Sequence, residues 1–252
     1  MRGLFLSTLV LFLATVVAFA QGAERGADLG AQRWRTGDRD GAVSAWAAAL
    51  DADGVDLPPA ERARLAYNLG VAEFERGEPL RATAWFEAAL RVAPRFDDAA
   101  ANLELARAEA GLGPRRADDL TATLDAAAAS FTRPEAEWLA LAGALLLALV
   151  AAGEALRGGG WRRAMGLAFL VQPFFFAPLA RHVLVADAQP YMVIDDEGAS
   201  LLSAPSTSAK RLGSLDAGDI VEFVDELPGW TRVAVDGEDR WTRADALFAL
   251  RL

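Results

Sequence analysis

The chain has 252 residues, with 25 basic and 35 acidic side chains, a net charge of −10 at pH 7, one histidine and no cysteine. This composition excludes thiol catalysis, zinc–thiolate sites and disulfides, and an acidic chain without a Lys/Arg-rich stripe is a poor partner for nucleic acid. An imidazole base would have to be His182, which stands at the end of an apolar run.

Residues 1–20 read as an export signal. Arg2 precedes an apolar stretch from Leu4 to Val17, and Ala18-Phe19-Ala20 places small residues where a signal peptidase needs them, so cleavage is expected after Ala20. An uncleaved amino-terminal anchor is the alternative, and on either reading the chain beyond residue 20 is exported.

Residues 21–116 repeat themselves. "DLGAQRWRTGDRDGAVSAWAAAL" from Asp28 aligns with "NLGVAEFERGEPLRATAWFEAAL" from Asn68 and with the shorter "NLELARAEAGLG" from Asn102. Gly37, Gly77 and Gly111 fall at one position, Trp46 matches Phe86, and Glu104 replaces the glycine found at 30 and 70. The pattern predicts pairs of antiparallel helices: small residues let them approach, aromatics fill the space beside them, and glycine makes the turn. The second unit resembles the tetratricopeptide repeat in its spacing of Leu-Gly, Gly, Ala, aromatic, Ala and Pro. It departs at the usual first-helix aromatic, where Glu73 stands beside Phe74. Residues 51–59 lengthen the connection between the first two units. The resemblance implies a concave peptide-binding face with Arg64, Tyr67, Asn68, Val71 and Phe74 on one helix and Asn102 and Leu105 on the next; plain packing is the competing role for these side chains. Residues 117–132 are read as a linker, a cap or an interfacial helix.

Residues 133–186 read as a transmembrane helical hairpin. From Trp138 to Leu156 only Glu154 is charged, and Ala164 to Ala180 carries no charge. At 1.5 Å per residue these runs give helices of about 28 and 25 Å, near the hydrocarbon thickness of a bilayer. Thr132, Pro134 and Glu135 form a helix-start signal, Pro173 and Pro178 predict a kink, and Gln172 is expected to meet a freed backbone group or the other helix. The short connection holds Arg157, Arg162 and Arg163. By the positive-inside rule it belongs in the bacterial cytoplasm, which places both outer ends of the hairpin outside. The export signal predicts the same orientation independently.

From residue 190 to 252 the texture changes to short alternating runs: 191–196, 200–205, 219–226, 231–237 and 239–250, with Asp236-Gly237 as a hairpin signal. Five short strands in about 60 residues predict a small closed barrel. The segment resembles bacterial SH3-like domains through Gly229-Trp230, the weaker Arg240-Trp241, and Leu215 with Gly218. The family's polar stretch survives only as "LLSAPS", which weakens a cell-wall-ligand site, so Trp230 and Trp241 of the SH3-like surface read as core or rim packing, with ligand stacking as the competing role.

No catalytic constellation emerges. Asp195-Asp196-Glu197 suits a solvated edge, Asp97-Asp98 a helix start, and Gly158-Gly159-Gly160 lacks the Lys-Ser/Thr of a phosphate cradle. The expected fold is therefore multi-domain: all-α tetratricopeptide repeats, a two-helix transmembrane hairpin and an all-β SH3-like barrel. Neither an enzyme activity nor a cofactor or metal is expected.

That order of parts, with the array ending in "NLELARAEAGLG", resembles the BatE-like proteins of Bacteroides-aerotolerance-type operons. The resemblance implies a non-enzymatic scaffold in envelope stress tolerance, set in the inner membrane with two spans and both folded domains outside the cytoplasm. The implied partners are other membrane proteins, among them von Willebrand factor A-domain proteins. A peptidoglycan-binding anchor acting through the SH3-like domain is the second reading.

Overall fold

The computed structural model describes residues 28–51, 57–113, 124, 127–157, 162–184 and 188–252. The cleavage site at Ala20 and the glycine loop at 158–161 lie outside the described residues, as does most of 117–132. The described residues of Met1–Pro114 pack with Gln189–Leu252 as one compact unit, and those of Arg115–Ala188 form another.

The first unit begins with an array of helices: α1 (28–35), α2 (Arg39–Leu50), α3 (Pro59–Glu75), α4 (Pro79–Val92) and α5 (Asp97–Glu109). Pro59 and Pro79 occupy first-turn positions, where their missing N–H removes no helical bond and their fixed φ suits the helix. Asp38 caps α2 by accepting from Gly41 N–H at 3.0 Å. The three equivalent glycines, Gly37, Gly77 and Gly111, have φ of 85°, 80° and 71°. Beside each, an N–H reaches back five residues: Asp38 to Arg33 O, Glu78 to Glu73 O and Leu112 to Arg107 O. One sequence signal thus produces one left-handed helix stop three times.

Helix pairs meet where the glycines of the repeat lie. A Cβ on Gly30 would fall 2.2 Å from Trp46 Nε1, and one on Gly70 2.6 Å from Phe86 Cε1. Trp46 and Phe86 are buried, each lying across the backbone of the preceding helix. Leu65, Leu69 and Ala72 of α3 close one core with α2, while Ala82 and Phe86 of α4 close another with Leu103 and Ala106 of α5.

The same unit ends in a seven-stranded antiparallel sheet: β1 (Pro190–Val193), β2 (Ala199–Leu202), β3 (Arg211–Leu215), β4 (Ile220–Leu227), β5 (Trp230–Val235), β6 (Glu238–Arg243) and β7 (Leu247–Ala249), in the order β3-β2-β6-β5-β4-β1-β7. Seven strands at about 4.8 Å spacing would span nearly 30 Å if flat. Yet Leu215 of β3 and Leu247 of β7, from opposite ends of the order, share one core with Val193, Leu201, Val221 and Val233. The sheet is therefore rolled. Its end strands β3 and β7 do not pair, so the expected closed barrel is corrected to a rolled sheet with a seam. The strand count is also corrected, from five to seven. β3 lay in a stretch without alternation, and the run 239–250 is broken by a 3-10 turn at Ala244–Ala246. Asp236 and Gly237 both have positive φ, 53° and 78°, as the tight turn between β5 and β6 requires.

The second unit holds two packed helices, α6 (Arg133–Arg157) and α7 (Arg162–Leu184). Glu135 Oε2 accepts from Thr132 N–H at 2.9 Å, half of a capping box. Both helices are long and apolar enough to cross a membrane. Of the candidate spans Arg133–Gly153 and Gly166–Leu184, 17% and 11% are buried inside the protein. A core helix of a water-soluble fold would be enclosed by its neighbours, and these are not. Pro173 and Pro178 lie inside one continuous helix. Gln172 Oε1 is enclosed and has no hydrogen-bond partner among the described residues. At the outer ends His182 Nε2 lies 2.9 Å from Phe131 O, joining the end of α7 to the start of α6. Arg157 closes α6, and Arg162 and Arg163 open α7.

Candidate functional site

Helix α3 has three faces. Ala63, Ala66 and Gly70 turn toward α4 and α5, Leu65, Leu69 and Ala72 toward α2, and the third stripe is open. Arg64, Asn68 and Val71 lie on that stripe at i, i+4 and i+7. The Arg64 side chain is 60% exposed, and Glu61 on the preceding turn holds it at 3.6 Å. Asn68 and Val71 are half-buried, with Val71 leaning on the core around Phe86.

The remaining expected groove residues divide between packing and exposure. Tyr67 packs between Phe86 and Phe96, with ring centroids at 5.8 and 5.1 Å. Its hydroxyl accepts from Asn102 Nδ2 at 2.9 Å, which joins two successive units. Phe74 packs against the Phe86 core. Leu105 is 53% exposed on α5. The structure thus leaves Arg64, Asn68 and Leu105 accessible and gives Tyr67 and Phe74 a packing role.

On the rolled sheet, Trp230 pairs in register with Arg243, and Arg232 with Trp241. Each guanidinium lies over the neighbouring indole, Arg232 at 5.6 Å from Trp241 and Arg243 at 5.9 Å from Trp230. Both arginines are themselves held by carboxylates, Arg232 by Asp225 at 3.1 Å and Arg243 by Asp245 at 2.7 Å. The hydrogen bond from Arg243 keeps the Asp245 carboxyl below its ordinary range. Tyr191 stacks on Phe223 at 5.3 Å, and burial, with Glu226 nearby, raises its phenol pKa. The two tryptophans are half-buried in a checkerboard of rings and guanidiniums.

Among the described residues no group of three or more His, Cys, Asp or Glu could hold a metal ion. Sequence reasoning missed a contact between the array and the sheet. Leu80 and Ala84 of α4 form one buried cluster with Met192 and Leu250, and Trp85 meets Phe248 edge-on at 4.8 Å. Arg62 Nη1 donates to Leu252 O at 3.2 Å, and Leu252 packs against Ala63, Ala66 and Ala99. The available signal was the amphipathicity of α4: Leu80, Ala84 and Ala88 form a second apolar stripe opposite Ala82, Phe86 and Ala89.

No curated protein matches the chain. Residues 197–247, from the end of the first sheet loop to the start of β7, match the bacterial SH3 domain family.

Proposed function

We propose that the chain is a membrane-anchored interaction scaffold. The hairpin anchors it in the bacterial cytoplasmic membrane, with the connection at 158–161 inside and the array and sheet outside. The array acts as a short tetratricopeptide groove and carries no reaction of its own. The observation that carries this reading is the asymmetry of the array: the α4 side is closed by the sheet, whereas the Arg64–Asn68–Val71 stripe of α3 and Leu105 of α5 stay open. A common side for both folded parts is implied by their shared apolar cluster, because a chain that leaves at Pro114 and returns at Gln189 to pack on itself must cross the membrane an even number of times. The partners on this reading are other membrane proteins, with von Willebrand factor A-domain proteins of an envelope stress-tolerance complex suggested by the family resemblance.

The test is recovery of co-purifying membrane proteins with the double variant Arg64→Glu, Asn68→Ala in the full chain. Recovery should fall about tenfold or more, as for loss of a central interface contact, with unchanged thermal unfolding. Unchanged recovery would remove the groove from the proposal. Reporter fusions at residue 160 and at the carboxyl terminus should report opposite sides of the membrane.

A second reading is peptidoglycan binding through the sheet, favoured by the family match over 197–247. Sedimentation of the detergent-solubilised full chain with purified wall material, with and without Trp230→Ala and Trp241→Ala, separates the two. Wall binding lost in these variants supports the second reading, and no sedimentation removes it.

A further inference from the structure

Helix α4 is buried on two opposite sides. Ala82, Phe86 and Ala89 face the helices of the array, while Leu80 and Ala84 lie half a helical turn away and face the sheet. In an array of helix pairs the second helix of a pair ordinarily shows its outer side to water, and the terminal units need a cap over whatever apolar surface is left. Here that outer side is apolar and covered. We infer that the β1–β7 side of the sheet is an array-binding surface whose ligand is the end of the helical array of this same chain, so that the SH3-like part serves as the array's cap.

Three observations converge on this assignment. First, the third unit departs from the repeat at the position that admits a second helix. Gly30 and Gly70 leave room for Trp46 and Phe86, whereas α5 carries Glu104 at that position, and a side chain there bars the same close approach. The array's usual continuation is blocked by its own sequence. Second, the sheet covers the outer side of α4 and reaches the turn after α5, while the α5 face that carries Glu104 stays exposed with Ala100 and Ala108. Leu112, at the end of the α5 turn, lies against Gly218, where a Cβ would come within 2.7 Å of Leu112 Cδ1. Ala110 and Leu112 join the cluster built by Leu80, Ala84, Met192 and Leu250. Third, the contact continues along the array through Trp85 on Phe248 and ends where Leu252 sits on Ala63, Ala66 and Ala99 under the Arg62 hydrogen bond. It therefore touches α4 together with α3 and α5, the two helices that present the accessible residues. The inference does not depend on what that stripe binds.

The consequence is that the array is held in shape by a segment made after the hairpin. The test is hydrogen exchange on the full chain in detergent, comparing the parent with Leu250→Asp and with Phe248→Ala. Amides of α4 and α5 should exchange at least about tenfold faster in Leu250→Asp and by a smaller factor in Phe248→Ala, while α6 and α7 keep their parental protection. Parental protection of α4 and α5 in Leu250→Asp would overturn the inference, whether the sheet of that variant is folded or not, because an array that needs no cap stays protected in both cases.

Discussion

Gly70 shows how much a single atom decides in this chain. Its missing Cβ is the space in which Phe86 lies, 1% exposed. In an open helix, replacing glycine by alanine favours folding by about 0.5–1 kcal/mol. Here the added methyl would stand 2.6 Å from Phe86 Cε1, and forcing an aromatic ring aside in a packed core costs about 1–3 kcal/mol. The second effect wins, so Gly70→Ala should lower the urea midpoint of the full chain in detergent, tracked by helical circular dichroism. An unchanged or higher midpoint would mean that the ring moves aside freely. This residue was legible in the sequence because Gly30–Trp46 and Gly70–Phe86 repeat the same pairing. Tyr67 was less so: its position matched a groove lining, and only the rings of Phe86 and Phe96 and the Asn102 hydrogen bond show it to be a joint between units.

At the scale of elements, the helix stops, the turn at Asp236-Gly237 and the start of α6 could be read directly, because each depends on a few neighbouring residues. Strand β3 could not. "RLGSL" does not alternate, and it is a strand only because β2 pairs with it. The second apolar stripe of α4 was visible but had no assigned partner, since its cover lies more than a hundred residues away. The hairpin offers a test at this scale. Gly143 sits where a Cβ would fall 2.6 Å from Phe175 Cβ, so α6 and α7 touch at small-residue distance. Gly143→Leu should wedge them apart, lowering the thermal midpoint of the hairpin in detergent and abolishing a disulfide engineered across the pair near that level. A disulfide that still forms at the parental rate would show that the helices accommodate the bulk.

At the scale of the whole molecule, residues 115–188 interrupt a unit whose two halves pack on each other. Replacing that segment by a long Gly/Ser linker should therefore give a water-soluble chain with a single cooperative unfolding transition, seen by calorimetry and by far-ultraviolet dichroism. Two separate transitions, with the helical signal lost well before the sheet signal, would show that the halves do not share their stability. The interruption itself was legible as two apolar runs, but nothing local announced that the flanking parts belong together. The second apolar stripe of α4 marks a surface to be covered, but a stripe does not say which distant segment covers it.

An insertion of this kind also sets a schedule for synthesis. A ribosome that has finished Pro114 must add 138 more residues before Leu252 exists, taking roughly 7–30 s at ordinary bacterial-to-eukaryotic elongation rates. Throughout that interval Leu80 and Ala84 lack the strands that later cover them. A newborn chain stalled inside the hairpin would expose a greasy, sheet-hungry surface, which is the state that a holding chaperone would meet.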